Sequence, residues 1–377
     1  MRIDRFEMER FQSTWETTVE YNLSESGIHP LSLSGLVDRS WLQEVLVHEP
    51  LGYGHTNGSP ELRTEIAGLY RGAGPEHVLV TTGTAEANFL IAWALLDPED
   101  EVVVMLPNYM QLPLLARTWA GTVREWWLRP GRGEWTLDVD ELKRLVTSRT
   151  KAVFVCHPNN PTGAVLPVDV LNAICAAADR VGAYVIADEV YRGAERDGHL
   201  TPSFWGRYPR AIVTGGLSKA YGLPGLRVGW IVAPTDLANT FWGYHDFTTI
   251  APGFLSDRLA LMALMPRTRQ RLLARTRQIL TENLRVLTTW ADDLAEELSW
   301  NRPQAGAIAF FHYRAEVNST QLVERLRREQ SVLVVPGDHF KMDGYLRLGF
   351  GMEPRILSEG LSRTAALLRS LLVLTTS

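Results

Sequence analysis

From about residue 48, short runs of apolar, β-favouring residues alternate with longer stretches whose apolar positions recur at helical spacing. The apolar runs are His77–Thr82, Glu101–Leu106, Ala152–His157, Tyr184–Asp188, Ala211–Gly215 and Val228–Val232. The helical stretches fall near Glu86–Leu96, Met110–Ala120, Val139–Val146 and Pro167–Val181. Strands that are apolar on both faces and separated by helices imply an α/β fold with a mostly parallel sheet covered on both sides. Ligands of such sheets bind outside the carboxyl ends of the strands. After about residue 250 the pattern changes. Long helices over roughly Phe254–Leu298 precede short strands at Ala307–Tyr313, Ser331–Val335 and Tyr345–Phe350, and a last helix covers Pro354–Leu372. The pattern therefore predicts a large domain over 48–250 and a smaller α+β domain over 251–377. Residues 1–47 form an arm, extended near Tyr21–Leu23 and helical near Leu31–Val37, that completes the smaller domain.

Composition narrows the classes. The 377 residues carry a net charge of −5 and are 45% hydrophobic and 21% charged, as in ordinary globular proteins. Neither a nucleic acid nor a membrane surface is an expected partner. The start, Met1-Arg2-Ile3-Asp4-Arg5-Phe6, has no apolar core of a secretory leader, so a cytoplasmic location is expected. Cys156 and Cys175 fall in a strand and a helix and read as inert buried thiols, not as a disulfide or a metal site. Trp126 and Trp127 read as core.

Four motifs follow strands. Thr82-Gly83-Thr84-Ala85-Glu86-Ala87 opens a helix, where free N–H groups and the positive helix end favour an anion. Asn159-Asn160-Pro161-Thr162-Gly163 is a tight turn that holds an amide. Ala187-Asp188-Glu189-Val190-Tyr191 places an aspartate at the tip of a buried strand, which calls for a cation or donors. The run Gly215-Gly216-Leu217-Ser218-Lys219-Ala220-Tyr221-Gly222-Leu223-Pro224-Gly225-Leu226-Arg227 is glycine-rich and carries one lysine and one arginine. Lysine occurs only at 143, 151, 219 and 341 in a chain rich in arginine. Lys143, Lys151 and Lys341 sit in polar surroundings. Lys219 sits among small and apolar residues, where burial would favour the neutral, nucleophilic amine.

These residues, with Tyr53, Gly58, Leu62-Arg63, Tyr109 and Arg347, give the chain a resemblance to the class I/II aminotransferases from about Tyr53 to Phe350. These are pyridoxal 5′-phosphate (PLP) enzymes of fold type I, with a seven-stranded type of large sheet. The resemblance implies that Lys219 carries the cofactor as a Schiff base and moves the α-proton. It implies that Asp188 pairs with the ring nitrogen, that Tyr191 and Asn160 hydrogen-bond the ring's phenolic oxygen, and that Tyr109 stacks on the ring. Gly83, Thr84, Ala85, Ser218 and Arg227 would hold the phosphate, and Arg347 the substrate carboxylate, which Asn160 also borders. Tyr53 would reach the phosphate of a second subunit, so a homodimer is expected. Many members have a hydroxyl residue three positions before the lysine, whereas this chain has Gly216.

The resemblance implies transfer of an amino group between an amino acid and a 2-oxo acid. A second outcome is also open. Ser24-Glu25-Ser26-Gly27-Ile28-His29-Pro30, the lysine segment and Arg347-Leu348-Gly349-Phe350-Gly351 resemble the capreomycidine-synthase branch. That likeness implies elimination, replacement or cyclisation of an amino acid in specialised metabolism, with Gly27 and His29 beside the substrate. His29 reads either as a second acid–base group or as a cap on local backbone. Trp242, Tyr244, His245 and Phe247 would line a side-chain pocket or a dimer interface. A non-catalytic PLP-binding module is the remaining alternative, and the retention of Lys219 and Asp188 argues against it.

Overall fold

The apolar runs of the middle of the chain do become strands, and polar turns at their ends set the site. The computed structural model describes residues 3–375, and Met1, Arg2, Thr376 and Ser377, the extreme ends of the arm and of the C-terminal segment, lie outside the described residues. The arm comprises α1 (Glu7–Trp15), β1 (Tyr21–Asn22), α2 (Leu33–Leu36) and α3 (Arg39–His48). Next come α4 (Pro60–Ala67), β2 (Val78–Thr81), α5 (Thr84–Leu95), β3 (Glu101–Leu106), α6 (Gln111–Trp119), β4 (Thr122–Pro130) and β5 (Trp135–Leu137). They are followed by α7 (Val139–Leu145), β6 (Thr150–Cys156), α8 (Val168–Asp179), β7 (Tyr184–Asp188), β8 (Ala211–Gly216) and β9 (Gly229–Val232). The remainder is α9 (Thr235–His245), α10 (Phe254–Leu264), α11 (Pro266–Asp292), β10 (Leu298–Trp300), β11 (Ile308–Tyr313), α12 (Ser319–Gln330), β12 (Val332–Leu333), β13 (Val335–Pro336), β14 (Tyr345–Gly349) and α13 (Pro354–Thr375).

The large sheet has eight strands in the order β2-β9-β8-β7-β6-β3-β4-β5. Strands β8, β7, β6, β3 and β4 are parallel, and β9 is antiparallel to both β8 and β2. Strands β2, β3, β7 and β8 are buried along nearly their whole length, as runs apolar on both faces require. The pattern of apolar runs did not give β4 or β5. Strand β4 carries Arg124, Glu125 and Arg129 between its apolar residues, because Arg124 pairs with Glu101 and Glu125 with Arg117 near the sheet edge. Strand β5 is the eighth strand, an antiparallel hairpin partner of β4 beyond the seven expected. Trp126 is fully buried, with its indole N–H donating to Asp138 O at 2.8 Å, whereas Trp127 is half-buried.

A second sheet, β10-β11-β14-β13, is antiparallel and packs with α12 through β13, while α13 packs on β1 and β12. The arm is sewn to this part of the chain. Strand β1 pairs in parallel with β12, Leu23 N–H donates to Leu333 O at 2.8 Å, and Gly349 N–H donates to Leu23 O at 2.7 Å. Gly349 is needed there, because a Cβ would collide with the Glu25 carbonyl. The arm thereby crosses over the carboxyl ends of the large-sheet strands.

Candidate active site

A cavity of about 350 Å³ opens where that arm meets the strand ends. Its lining comes from four strand-to-loop junctions, from the first turn of α5 and from the inner face of α1. Asp188 ends β7, Asn160 follows β6, Ser218 and Lys219 follow β8, Thr84 and Ala85 follow β2, and Tyr109 follows β3. The junctions converge because β2 runs in the same direction as the parallel strands, through antiparallel pairing with β9.

Lys219 projects into this cavity and is half-buried rather than enclosed. Its Nζ donates to Ser26 Oγ of the arm at 2.8 Å. The other three lysines pair with carboxylates: Lys143 with Asp140, Lys151 with Asp100 and Lys341 with Glu125. Asp188 is buried. Its Oδ2 accepts from Asn88 Nδ2 at 3.1 Å and its Oδ1 from Val190 N–H at 3.1 Å. Asn88 is itself held by the Thr214 hydroxyl, which donates to its Oδ1 at 3.2 Å. Burial pushes the Asp188 carboxyl up, against these bonds and the charge of Lys219, so a cationic partner would stabilise it. Tyr191 is buried with a hydroxyl that has no hydrogen-bond partner among the described residues, and burial pushes its phenol up. Such an orphan calls for a ligand atom.

The other end of the cavity is a cradle for an anion. Thr84 and Ala85 present the first N–H groups of α5. Arg227, in the left-handed region at φ 52°, lies across Gly83, where a Cβ would sit 2.5 Å from its Nη2. None of the carboxylates of the described residues pairs with Arg227. Gly216 sits against Thr84: a Cβ there would be 2.7 Å from Thr84 Oγ1 and 3.1 Å from Val228 O. The glycine therefore makes room for the threonine, whose hydroxyl donates to Gly215 O at 3.1 Å.

Arg347, on β14, is 1% exposed. It does not line the cavity but stands behind Asn160 and Met8, which do. Its Nη1 donates to Asn160 Oδ1 at 3.0 Å and its Nη2 to Ser24 O at 2.6 Å, while Nε has no partner. Asn160 Nδ2 is thus the group free to donate to a ligand. Tyr109 forms one wall, its hydroxyl donating to Glu9 Oε1 at 2.7 Å, and Phe6 packs edge-on against it at 5.1 Å. Gly27 abuts the Lys219 stem, since a Cβ there would lie 3.6 Å from Lys219 Cδ. His29 does not reach the cavity: Arg275 Nη2 of α11 contacts its Nδ1 and its carbonyl oxygen, each at 3.0 Å. Tyr53 does not line this chain's cavity and is 92% exposed. Trp242, Tyr244, His245 and Phe247 do not line it either.

The residue pattern gave no sign of α1, which contributes Met8, Glu9, Gln12, Ser13 and Glu16 to the lining, nor of Asn88; Glu25 and Ser26 belong to the Ser24–Pro30 segment expected near the substrate, of which the resemblance singles out only Gly27 and His29. The spacing Glu9, Gln12, Ser13, Glu16 marks one helix face, but a polar face ordinarily reads as solvated. Glu9, Glu16 and Glu25 pair with no arginine or lysine of the described residues. Burial, then Glu25 and Glu9, push the Glu16 carboxyl up. Cys156 and Cys175 are free, buried and on separate elements, and burial pushes both thiols up, Cys175 to about 11.

The donor set fits PLP: a buried carboxylate for the ring nitrogen, an orphaned phenol and an amide for the ring oxygen, an amine for the aldehyde, and a helix N-terminus with an arginine for the phosphate. Fold and site together define a PLP-dependent enzyme of fold type I. The family model of class I and II aminotransferases matches residues 42–363, and the chain belongs to that family. It is 32% identical to capreomycidine synthase of Streptomyces vinaceus over 352 residues, covering 90% of this chain and 88% of that one. It is 31% identical to the aspartate/prephenate aminotransferase of Thermus thermophilus over 334 residues, covering 84% and 83%. A PLP-dependent aminotransferase structure from Streptococcus suis superposes with a TM-score of 0.92 at 33% identity, covering 98% of this chain and 99% of that one. Among the described residues no helix is long and apolar enough to cross a membrane.

Proposed function

We propose that this enzyme moves the amino group of an amino acid to a 2-oxo acid, with the cofactor held on Lys219. The observation that carries the reading is the convergence of Lys219, Asp188, Tyr191 and Asn160 on one cavity backed by Arg347. When bound, PLP supplies an electron-accepting ring that weakens the bonds at the substrate α-carbon. Asp188 holds the ring nitrogen protonated, and Tyr191 and Asn160 Nδ2 donate to the ring oxygen. Tyr109 flanks the ring. Thr84, Ala85, Ser218 and Arg227 hold the phosphate, with Gly83 leaving space for the guanidinium. The Lys219 amine would be the base that takes the proton from the substrate Cα and the acid that delivers it on the cofactor side. Arg347 orients the substrate through its carboxylate, and the arm around Ser26 and Gly27 shields Lys219 from water. The anionic wall of Glu9, Glu16 and Glu25 favours a cationic or neutral substrate side chain over an acidic one.

The chain divides into two lobes, one over 48–250 and one over 251–377 joined by residues 1–47, a reading supported by the separate eight-stranded and four-stranded sheets. The protein works in the cytoplasm as a homodimer, in which the exposed Tyr53 reaches the partner's phosphate. The exposure of Phe247 (79%) and of Leu51 supports an interface on this side. The likeness to capreomycidine synthase favours a second reading, cyclisation of the substrate.

One experiment separates them. The protein loaded with PLP is mixed with a panel of amino acids, including L-arginine and its neutral isostere L-citrulline, with and without 2-oxoglutarate. Conversion of the cofactor to its amine form is expected. Loss of water or ammonia with PLP regenerated would replace transamination by elimination or cyclisation. Borohydride reduction should fix the cofactor on Lys219, and a label on another lysine would refute the site.

A further inference from the structure

Glu86 and His245 form a buried pair that none of the roles above uses. Glu86 is the third residue of α5, the helix whose first turn supplies the N–H groups of the anion cradle. A carboxylate in a first turn complements the positive helix end. In a helix that must hold a phosphate, the same charge competes with the ligand. The Glu86 carboxylate accepts from Thr82 N–H at 2.5 Å, from the Thr248 hydroxyl at 2.6 Å and from the Thr249 hydroxyl at 2.8 Å. His245 Nε2 lies 3.4 Å from its Oε2, and the two side chains are 0% and 9% exposed for His245 and Glu86. Burial alone would raise the Glu86 carboxyl, but bonds from His245, Thr248, Thr82 N–H and Thr249 outweigh it and hold it at about 2.

The direction of one hydrogen bond fixes which edge of the imidazole donates. Its Nδ1 lies 3.1 Å from Thr56 O, and a carbonyl only accepts, so Nδ1 carries a hydrogen. Its Nε2 lies 3.0 Å from Thr249 Oγ1. Thr249 Oγ1 also lies against the Glu86 carboxylate, so Nε2, Thr249 and Glu86 form one buried polar cluster beside the head of α5. The Nδ1–H bond also reaches the loop that carries Tyr53, and Trp242 Nε1 donates to Thr56 Oγ1 at 2.9 Å in the same loop.

We propose that His245 is a positioning residue for the cofactor phosphate: packed on the Glu86 carboxylate, it holds and screens that charge at the head of α5, so the helix end stays attractive to an anion, and its bond to Thr56 ties that helix to the Tyr53 loop. The proposal rests on the reading of the cavity as a PLP site. Without His245, the Glu86 carboxylate would lose its ring contact and stand more exposed to the turn that meets the phosphate. Charges at helix ends are worth enough to change binding between about 2- and 30-fold.

The test compares wild type with His245→Gln and with His245→Gln/Glu86→Gln. The readout is apparent Kd for PLP and for pyridoxal, which lacks the phosphate, followed by cofactor absorbance. His245→Gln should weaken PLP within that range and leave pyridoxal unchanged, and the second substitution should restore much of the loss. Equal PLP affinity in wild type and His245→Gln would overturn the proposal. So would parallel losses for PLP and pyridoxal, or a double variant no better than the single. A second measurement needs no variant. In ¹⁵N-histidine-labelled protein, Nδ1 of His245 should carry the hydrogen that binds Thr56 O, and an Nδ1 without hydrogen would overturn the proposal. A wild-type protein that binds no PLP would overturn the site reading together with it, whereas PLP bound equally by all variants removes this inference alone.

Discussion

Replacing Arg347 by alanine tests how the substrate carboxylate is held. The guanidinium is 1% exposed and bridges Asn160 Oδ1 at 3.0 Å and Ser24 O at 2.6 Å. A carboxylate taking its place in that network would gain two charge-assisted hydrogen bonds, each worth about 1.5–3 kcal/mol. Giving up the bond to Ser24 O offsets part of this, which leaves about 2–4 kcal/mol. Arg347→Ala should therefore lower kcat/KM by roughly 30- to 1000-fold. It should also destabilise the fold by about 1–3 kcal/mol, because Asn160 and Ser24 lose a buried donor. Arg347→Lys keeps the charge but not the fork, and should fall between wild type and alanine. Two assays separate the effects. Thermal unfolding reports the structural loss. Binding of an amino acid against the amine that lacks its carboxylate reports the clamp: wild type should prefer the acid, and Arg347→Ala should bind both alike. An Arg347→Ala protein that still prefers the acid as strongly as wild type would show that the carboxylate is held elsewhere.

Two further outcomes follow from packing and burial. Gly216→Ser, which restores the hydroxyl that many relatives carry, should weaken PLP binding and cost about 1–3 kcal/mol of stability, because its Cβ would press on Thr84 Oγ1 at 2.7 Å; unchanged PLP affinity, read by cofactor titration, would show that the cradle yields. His157 is fully buried, with Nδ1 accepting from Leu166 N–H at 3.2 Å. Burial, then Arg207 and Arg192, hold its imidazole down at about 3 against an ordinary 6.5. Its neutral form therefore supports the fold fully above pH 6.5, and that support is lost as pH falls from 6.5 toward 3, by at most about 1.4 kcal/mol per pH unit. Denaturant unfolding between pH 7 and 4 should show a shallower pH slope for His157→Gln, and identical slopes would remove this histidine from the acid sensitivity.

The sequence by itself determined which strand-end residues meet at the cavity. Lys219, Asp188, Asn160 and Thr84 each follow an apolar run, and in a parallel sheet the ends of such runs must face the same crevice. The scarcity of lysine singled out Lys219, and the structure pairs the other three with carboxylates. These features are local, so spacing and composition carry them.

What only the tertiary structure decided is which distant segments close that crevice. Helix α1 turns a polar face inward, a choice set by where the arm is pinned, through Leu23 and Gly349, and not by the helix's own periodicity. The same pinning brings Ser26 to Lys219 and leaves His29 with Arg275, although the two residues are near neighbours in the arm. Strand β4 hides its apolar pattern among charges that pair near a sheet edge. Glu86 and His245 read separately as a helix-start acid and an aromatic-cluster histidine. Their meeting depends on how α9 packs on α5, a contact between residues far apart in the chain. Long-range packing of this kind leaves no periodic trace, because each partner satisfies its own local pattern whether or not the other is there.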